Sequence, residues 1–391
     1  AKLLKMKIKS AKLYSFAVRG GTEWLILKIS SNSNFDGFSE LTISNYSLKN
    51  NLQNSLSSLL KKIQNEDLQN DNQINKLLGN ANENYDLADA TSRSGIRSAC
   101  TDIFAKENSK PMNKYLKLKY LLPDAPLNLV NLYANINRSL LPNDNGPLDR
   151  SPESFSKMAK RALNDGFSYI KCAPFDGYPD KYYKDNRFIE EGLLRVGEIT
   201  RLLTKDKKLL VDCHSKFNQQ NAISVEKKLY DFGVKWFEEP MNPKTSSKEL
   251  KEIKKRIKGD LVGGEEFYGV REFEELLKSE TLDILMPDIK YCGGIEEAVK
   301  IGINLNKISK GSFSIHCPSG PISLLGSAHV TAALNSKLPL EHAVYEIEDR
   351  HNHLYPKEKI MKGKFFFPKG HGLGAEPNFN INHKIIMEIN L

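Results

Sequence analysis

From about residue 122 onward the chain repeats one rhythm for some 200 residues, and few architectures accept it. Short apolar runs, "LVNLYANI", "YIKCAPF", "LLVDCHSKF", "VKWFEEP", "DLVGGEEF", "LDILMPDIK" and "GSFSIHC", alternate with amphipathic stretches such as "SPESFSKMAKRALNDG" and "EEAVKIGINLNKISKG". Strands that are apolar throughout, each followed by a helix, belong in a parallel sheet covered on both faces. Seven or eight such units in a chain of 391 residues point to a closed barrel rather than an open sheet. No GxGxxG follows the first run, which argues against a dinucleotide fold.

What precedes the barrel has a different texture. Residues 1 to about 45 carry the alternating runs "KLYSFAV" and "WLILKISS", the pattern of half-buried antiparallel strands. The first of these reads as an edge strand, and the first few residues as a cloning remnant. From about 46 to 122 the chain is polar and Asn-rich, yet Leu56, Leu59, Leu60 and Ile63 keep helical spacing, which predicts solvated helices rather than disorder. "RSGIRSACTDIFAKENSKPMNKYL" (93–116) predicts a stronger helix, with Ile96 and Ile103 on one face.

Acids interrupt the apolar runs where a strand would end. Asp212, Glu238 and Glu265 each stand at a strand tip, spaced by about one β/α unit. In a parallel barrel the carboxyl ends of the strands build the functional site, so the three carboxylates are expected to converge above its mouth. An all-oxygen cluster suits a hard divalent cation, Mg²⁺ before Zn²⁺. A single acid at a strand end usually caps a helix or contacts a loop; three in regular register do not fit that account. Glu239 and Glu266 should point the other way by strand alternation and cap or pair locally.

The following strands add proton chemistry. Asp288 and Lys290 emerge from "LMPDIKYCGGI", and His316 ends "SFSIHCPSGP". A carboxylate beside an imidazole orients the ring and raises its basicity, giving a general base or acid near neutral pH. A metal opposite could hold a substrate carboxylate and stabilise the charge left when the α-proton departs. Lys171 adds a positive charge on the far side of the cavity. His214, two residues after Asp212, is read as a contact for substrate hydroxyls or as a support behind the metal ligand.

Several features invite other readings. The net charge of +9 is spread along helical segments and interleaved with Glu and Asp, without a nucleic-acid-binding signature, so solvated helix faces and steering of an anionic small molecule are expected. No run approaches the roughly 18 apolar residues of a membrane span, and no secretory signal is read at the start. Five scattered cysteines without a CxxC suit a reduced, cytoplasmic protein. Of these, Cys172, Cys213 and Cys317 should turn outward beneath the helices as small buried hydrophobes. "HNH" (351–353) reads as a surface loop and "GHGLG" (370–374) as a turn.

Taken together, these motifs resemble the enolase superfamily, specifically its mandelate racemase subgroup. "SGIRSACTDIFAKENSKPMNKYL" resembles the helix that closes the capping domain, "VDCH", "FEEP" and "GGEEF" the metal-bearing tips, "MPDIKYCGGI" and "SIHCPSGP" the His–Asp dyad strands, and "GLGAEPN" the C-terminal segment. The resemblance implies an α/β fold: a (β/α)7β-type TIM barrel at 126–350, an α+β N-terminal capping domain at 1–125 carrying specificity loops, and a C-terminal segment at 351–391 that packs back on the capping domain. It implies Mg²⁺ held by Asp212, Glu238 and Glu265, a dyad of His316 and Asp288, and Glu341 as the acid that hydrogen-bonds the substrate carboxylate, with Glu346 a weaker candidate. A homo-oligomer, dimer or octamer, is also implied.

One departure bears on the reaction. Many relatives carry Lys-x-Lys on the second barrel strand, whereas this chain has Lys171-Cys172-Ala173. A racemase needs a proton carrier on both faces of the α-carbon; a dehydratase needs one, because the same histidine can protonate the departing hydroxyl. The expectation is therefore a lyase that dehydrates an acid sugar to a 2-keto-3-deoxy acid. The alternative is a racemase or epimerase of a 2-hydroxy acid or amino-acid derivative, with Lys171 opposite His316. Lys290 is read as a neighbour of Asp288, and Arg19 in "AVRGGTEW" as a contact for a distal group of the small-molecule carboxylate.

Overall fold

A computed structural model describes residues 5–19, 21–43, 48–79, 85–124, 129–140, 149–308 and 312–391. The alternating N-terminal runs form three antiparallel strands, β1 (Ile8–Ala17), β2 (Glu23–Ser31) and β3 (Asp36–Glu40). Four helices follow, Lys49–Lys62, Asp71–Leu78, Leu87–Glu107 and Met112–Lys119. Leu56, Leu59, Leu60, Ile63, Ile96 and Ile103 are all buried in one core between this sheet and these helices, as their helical spacing predicts.

The barrel strands are β4 (Leu129–Asn135), β5 (Tyr169–Cys172), β6 (Lys208–Asp212), β7 (Trp236–Glu238), β8 (Asp260–Gly263), β9 (Ile284–Leu285), β10 (Ser312–Phe313) and β11 (Leu340–Ala343). They pair in parallel in the order β10-β9-β8-β7-β6-β5-β4, with β11 joined to β4. The last gap is bridged by Ser336 Oγ on Phe313 O and Ser314 Oγ on Pro339 O. Each strand sends alternate side chains to opposite faces. Tyr133, Leu210, Trp236, Val262, Ile284 and Met286 fill the interior. Cys172, Val211, Phe237 and Leu261 face the surrounding helices.

The chain then forms β12 (Leu354–Tyr355), β13 (Lys359–Met361), β14 (Lys364–Phe366), β15 (Glu376–Pro377) and β16 (Lys384–Asn390). β16 lies antiparallel along β1, which corrects one expectation. β1 is an inner strand of the sheet β16-β1-β2-β3, not an edge. The local pattern could not reveal this, because the partner arrives more than 360 residues later. Of the first few residues, read as a cloning remnant, 1–4 lie outside the described residues.

"HNH" is also corrected. His353 ends a 3-10 turn, Arg350–His353, and is buried, with its ring edge-on to Trp24 at 4.9 Å. Arg350 is buried against Glu358; only His351 of the motif is exposed. "GHGLG" does form turns and bends. All five cysteines are free and buried. Among the described residues no helix is long and apolar enough to cross a membrane.

Candidate active site

The ladder register sets the site. β6 and β7 pair with Asp212 directly opposite Glu238, and two residues earlier Leu210 opposite Trp236. Alternation therefore brings both acids inward above two apolar interior residues. On β5, Lys171 is inward between outward Ile170 and Cys172; on β11, Glu341 is inward between outward Leu340 and His342. Four ionisable side chains thus meet over a largely apolar floor.

Lys171 is completely buried and bridges two of them. Its Nζ lies 2.9 Å from Glu238 Oε1 and 2.7 Å from Glu341 Oε1. Burial works against its charge, but Glu238 and then Glu341 outweigh burial and hold the ammonium well above the usual lysine range. Glu341 also accepts hydrogen bonds from Asn135 Nδ2 and the Cys317 backbone N–H, both at 2.8 Å. Trp236 Nε1 donates to Glu238 Oε2 at 2.8 Å. Burial, then the neighbouring Asp212, pushes the Glu238 carboxyl up to about 8 despite Lys171.

Asp212 accepts the His214 backbone N–H at 3.0 Å, and its Oδ2 lies 2.9 Å from His214 Nε2. Burial opposes its charge, yet His214 and Lys171 hold it far below the usual carboxylate range. The other nitrogen of His214 meets Asp176, an acid in the loop after β5. His214 and Ser215 both take left-handed backbone conformations, φ 43° and 57°, which turn the chain sharply and leave the His214 side chain 44% exposed at the mouth.

Glu265, just beyond β8, contacts His316: Oε2 lies 3.0 Å from Nε2. The other ring nitrogen, Nδ1, is 2.8 Å from Asp288 Oδ2. That same carboxylate oxygen receives Lys290 Nζ at 3.1 Å, while Asp288 Oδ1 accepts the Lys290 backbone N–H at 2.8 Å. Burial alone would lower the affinity of His316 for its proton; Glu265, Glu341 and Asp288 reverse this and raise it to about 9. Asp288 and His316 sit three residues past the ends of β9 and β10, which are only two residues long. The expected strands "LDILMPDIK" and "GSFSIHC" therefore turn to loop before their functional residues, although His316 N still donates to Pro287 O.

Glu239 does not follow simple alternation. Its φ is 38°, and its carboxylate folds back to accept the Gly264 N–H at 3.0 Å. This is a local pairing, as expected, reached by a turn of the backbone. Glu266 is exposed. Arg19 lies in the turn between β1 and β2, with Nη1 3.4 Å from Glu346 O in the loop after β11. The capping hairpin thus reaches the carboxyl-end face of the barrel.

Asp212, Glu238 and Glu265 are oxygen donors on three consecutive strands, and Asp212 raises the proton affinity of both glutamates. An all-carboxylate donor set fits a hard divalent cation in its chemistry. In the structure each is turned to a protein cation, and among the described residues no three His, Cys, Asp or Glu side chains stand in a metal-holding arrangement. Sequence reading missed Asp176, Asn135 and Trp236. Asp176 stood in view two residues past the "YIKCAP" tip; the other two read as ordinary strand residues.

A family model described as "Enolase C-terminal domain-like" matches residues 154–381, more than half of the chain. The chain belongs to this family. It is similar to the arabinonate dehydratase of Saccharolobus solfataricus, 31% identical over 210 residues, covering 54% of this chain and 53% of that protein. It is also similar to the D-gluconate/D-galactonate dehydratase of Picrophilus torridus, 25% identical over 237 residues, covering 61% and 60%. The matches thus span about half the length of these curated relatives. A solved member of the enolase superfamily from Salmonella Typhimurium superposes with a TM-score of 0.83 at 20% identity, covering 98% of this chain and 100% of the other. At that identity the likeness is one of fold.

Proposed function

We propose that this protein is a Mg²⁺-dependent dehydratase of an acid sugar, a hydro-lyase that forms a 2-keto-3-deoxy acid. Asp212, Glu238 and Glu265 would hold the cation. Bound there, it would supply Lewis-acid stabilisation of the negative charge that builds on the substrate carboxylate. Asp288 fixes Nδ1 of His316; with Glu265 engaged by the cation instead of Nε2, the main contribution that raises the proton affinity of the imidazole would be withdrawn, and Nε2 would take the α-proton and return one to the departing hydroxyl. Glu341 would hydrogen-bond the substrate carboxylate as charge accumulates, and His214, Lys290 and Arg19 would contact or support the polar remainder. The named activities of the two curated relatives support the acid-sugar class.

The observation that carries dehydration over racemisation is the pinning of Lys171. A base on the second face must lose its proton near neutral pH. Lys171 is clamped by two carboxylates at 2.9 and 2.7 Å, which holds the proton on. One mobile proton carrier suffices for elimination, whereas inversion needs two.

The test is a screen of acid sugars with Mg²⁺ for 2-keto-3-deoxy product, with His316→Asn as control. The expected result is turnover of at least one sugar acid and a loss of kcat of about 10³-fold in the variant. Equal turnover by the variant would refute the role of His316. Recovered substrate that carries solvent deuterium with inverted configuration, and no keto acid, would establish the racemase.

A further inference from the structure

We propose that Glu40, on the capping sheet, is a positioning residue for the His316–Asp288 pair, gripping the backbone that follows His316 from outside the barrel. Glu40 ends β3 and is buried, at 4% exposure. Its Oε1 accepts the Gly320 N–H and its Oε2 the Ser323 N–H, both at 2.8 Å. These two groups open the helix Pro321–Ala333, whose first N–H groups have no partner within the helix. Gly320 is four residues from His316, so the short "CPSG" segment is held at one end by the Cys317–Glu341 bond and at the other by Glu40.

The same carboxylate reaches the other arm of the pair. Thr42 Oγ1 donates to Glu40 Oε1 at 2.7 Å, and Tyr291 O–H donates to Thr42 O at 3.4 Å. Lys290 Nζ lies 3.3 Å from Tyr291 Oη and 3.1 Å from Asp288 Oδ2. A path of polar contacts, passing through the body of Thr42, therefore links Glu40 to Asp288 and on to His316. The Lys290 charge also acts on Glu40, against the burial that disfavours its ionised form. Beside this path, Ser94 and Ser98 of the capping helix Leu87–Glu107 accept the backbone N–H groups of Gly293 and Ile295 at 2.8 and 3.0 Å. Approach is this close only because Gly294 lacks a side chain; a Cβ there would lie 2.7 Å from Ser98 Oγ.

Both arms of the pair leave very short strands, so their own ladders define them weakly. Capping-domain groups take over that role: Glu40 contacts the His316 arm directly and reaches the Asp288 arm through Thr42, Tyr291 and Lys290. Its loss should misplace the imidazole rather than unseat the metal ligands, which rest on other strands.

This inference rests on the proton-transfer reading above, and its test separates the two. Glu40→Ala and Glu40→Gln are compared with the unmodified protein, with Mg²⁺ and the sugar acid that it turns over. The expected result for Glu40→Ala is a fall in kcat of about a hundredfold, with KM and the Mg²⁺ binding isotherm changed less than about threefold. Glu40→Gln, which keeps an acceptor oxygen, should recover at least about tenfold of that loss. A second readout needs no turnover: the low-field proton resonance shared by His316 Nδ1 and Asp288, assigned by its absence in His316→Asn. It should shift or vanish in Glu40→Ala and persist, displaced, in Glu40→Gln. If no acid sugar is turned over, the dehydratase reading fails while this resonance still decides the role of Glu40. If Glu40→Ala does not fold, a reduced kcat or a displaced resonance in Glu40→Gln supports the role. Unchanged kcat and an unmoved resonance in whichever variants fold would overturn it.

Discussion

Lys171 is a cation at zero exposure, a placement that only paired charges make tolerable. Glu238 and Glu341 supply the pairing. Lys171→Met should leave two facing acids uncompensated and cost about 3–5 kcal/mol of stability. Urea denaturation measures this, and a loss below about 1 kcal/mol would show the clamp to be weak. At this scale the sequence was legible where charge broke or ended an apolar run, as at Asp212, Glu238, Glu265 and Lys171; Glu341 was reached only through the family resemblance. Glu40 was not legible. It ends an unremarkable polar–apolar alternation, and its partners Gly320 and Ser323 are 280 and 283 residues away. Asn135 likewise looks like any strand residue until β11 closes beside β4.

Among the elements, β8 shows how a backbone constraint serves the site. Gly263 (φ 156°) ends the strand and Gly264 (φ 103°) follows it. A Cβ on Gly263 would come within 2.7 Å of Glu239 Cγ, whose carboxylate caps the next N–H. Gly263→Ala should therefore displace Glu239 and destabilise the fold by about 1–3 kcal/mol. Thermal unfolding checks this, and an unshifted midpoint would contradict it. The doubled glycine in "GGEEF" is visible in the sequence, but its reason lies on the neighbouring strand. Strand periodicity predicted the inward and outward faces of β5, β6 and β7 well, because ladder pairs enforce alternation there. It gave the wrong lengths for β9 and β10, where apolar residues continue past the last pair.

Across the whole molecule, the barrel, capping domain and C-terminal segment are tied together by buried polar contacts. His329, on the helix after the His316 loop, accepts the Asn113 N–H at Nδ1 (3.2 Å) and donates from Nε2 to Leu373 O (3.0 Å). Burial pushes its proton affinity down to about 4. The folded protein thus refuses a proton that the unfolded chain accepts below about pH 6.5. The stability contributed is full above that pH and is lost as pH falls toward 4. Between pH 7 and 4.5 the loss from this one group should be roughly 2–3 kcal/mol. Comparison of the protein with His329→Gln by urea denaturation isolates it, and identical pH slopes would contradict the assignment. The barrel was legible from its rhythm alone, whereas the inner position of β1 depended on β16, which no local pattern links to it.

The proposed chemistry requires that three strand tips share one cation. Calorimetric titration of Mg²⁺ into the protein, and into Asp212→Asn, Glu238→Gln and Glu265→Gln, addresses this without reference to turnover. The prediction is one saturable site per chain, weakened at least about tenfold by each single substitution. No saturable binding, or binding that survives all three substitutions unchanged, would contradict it.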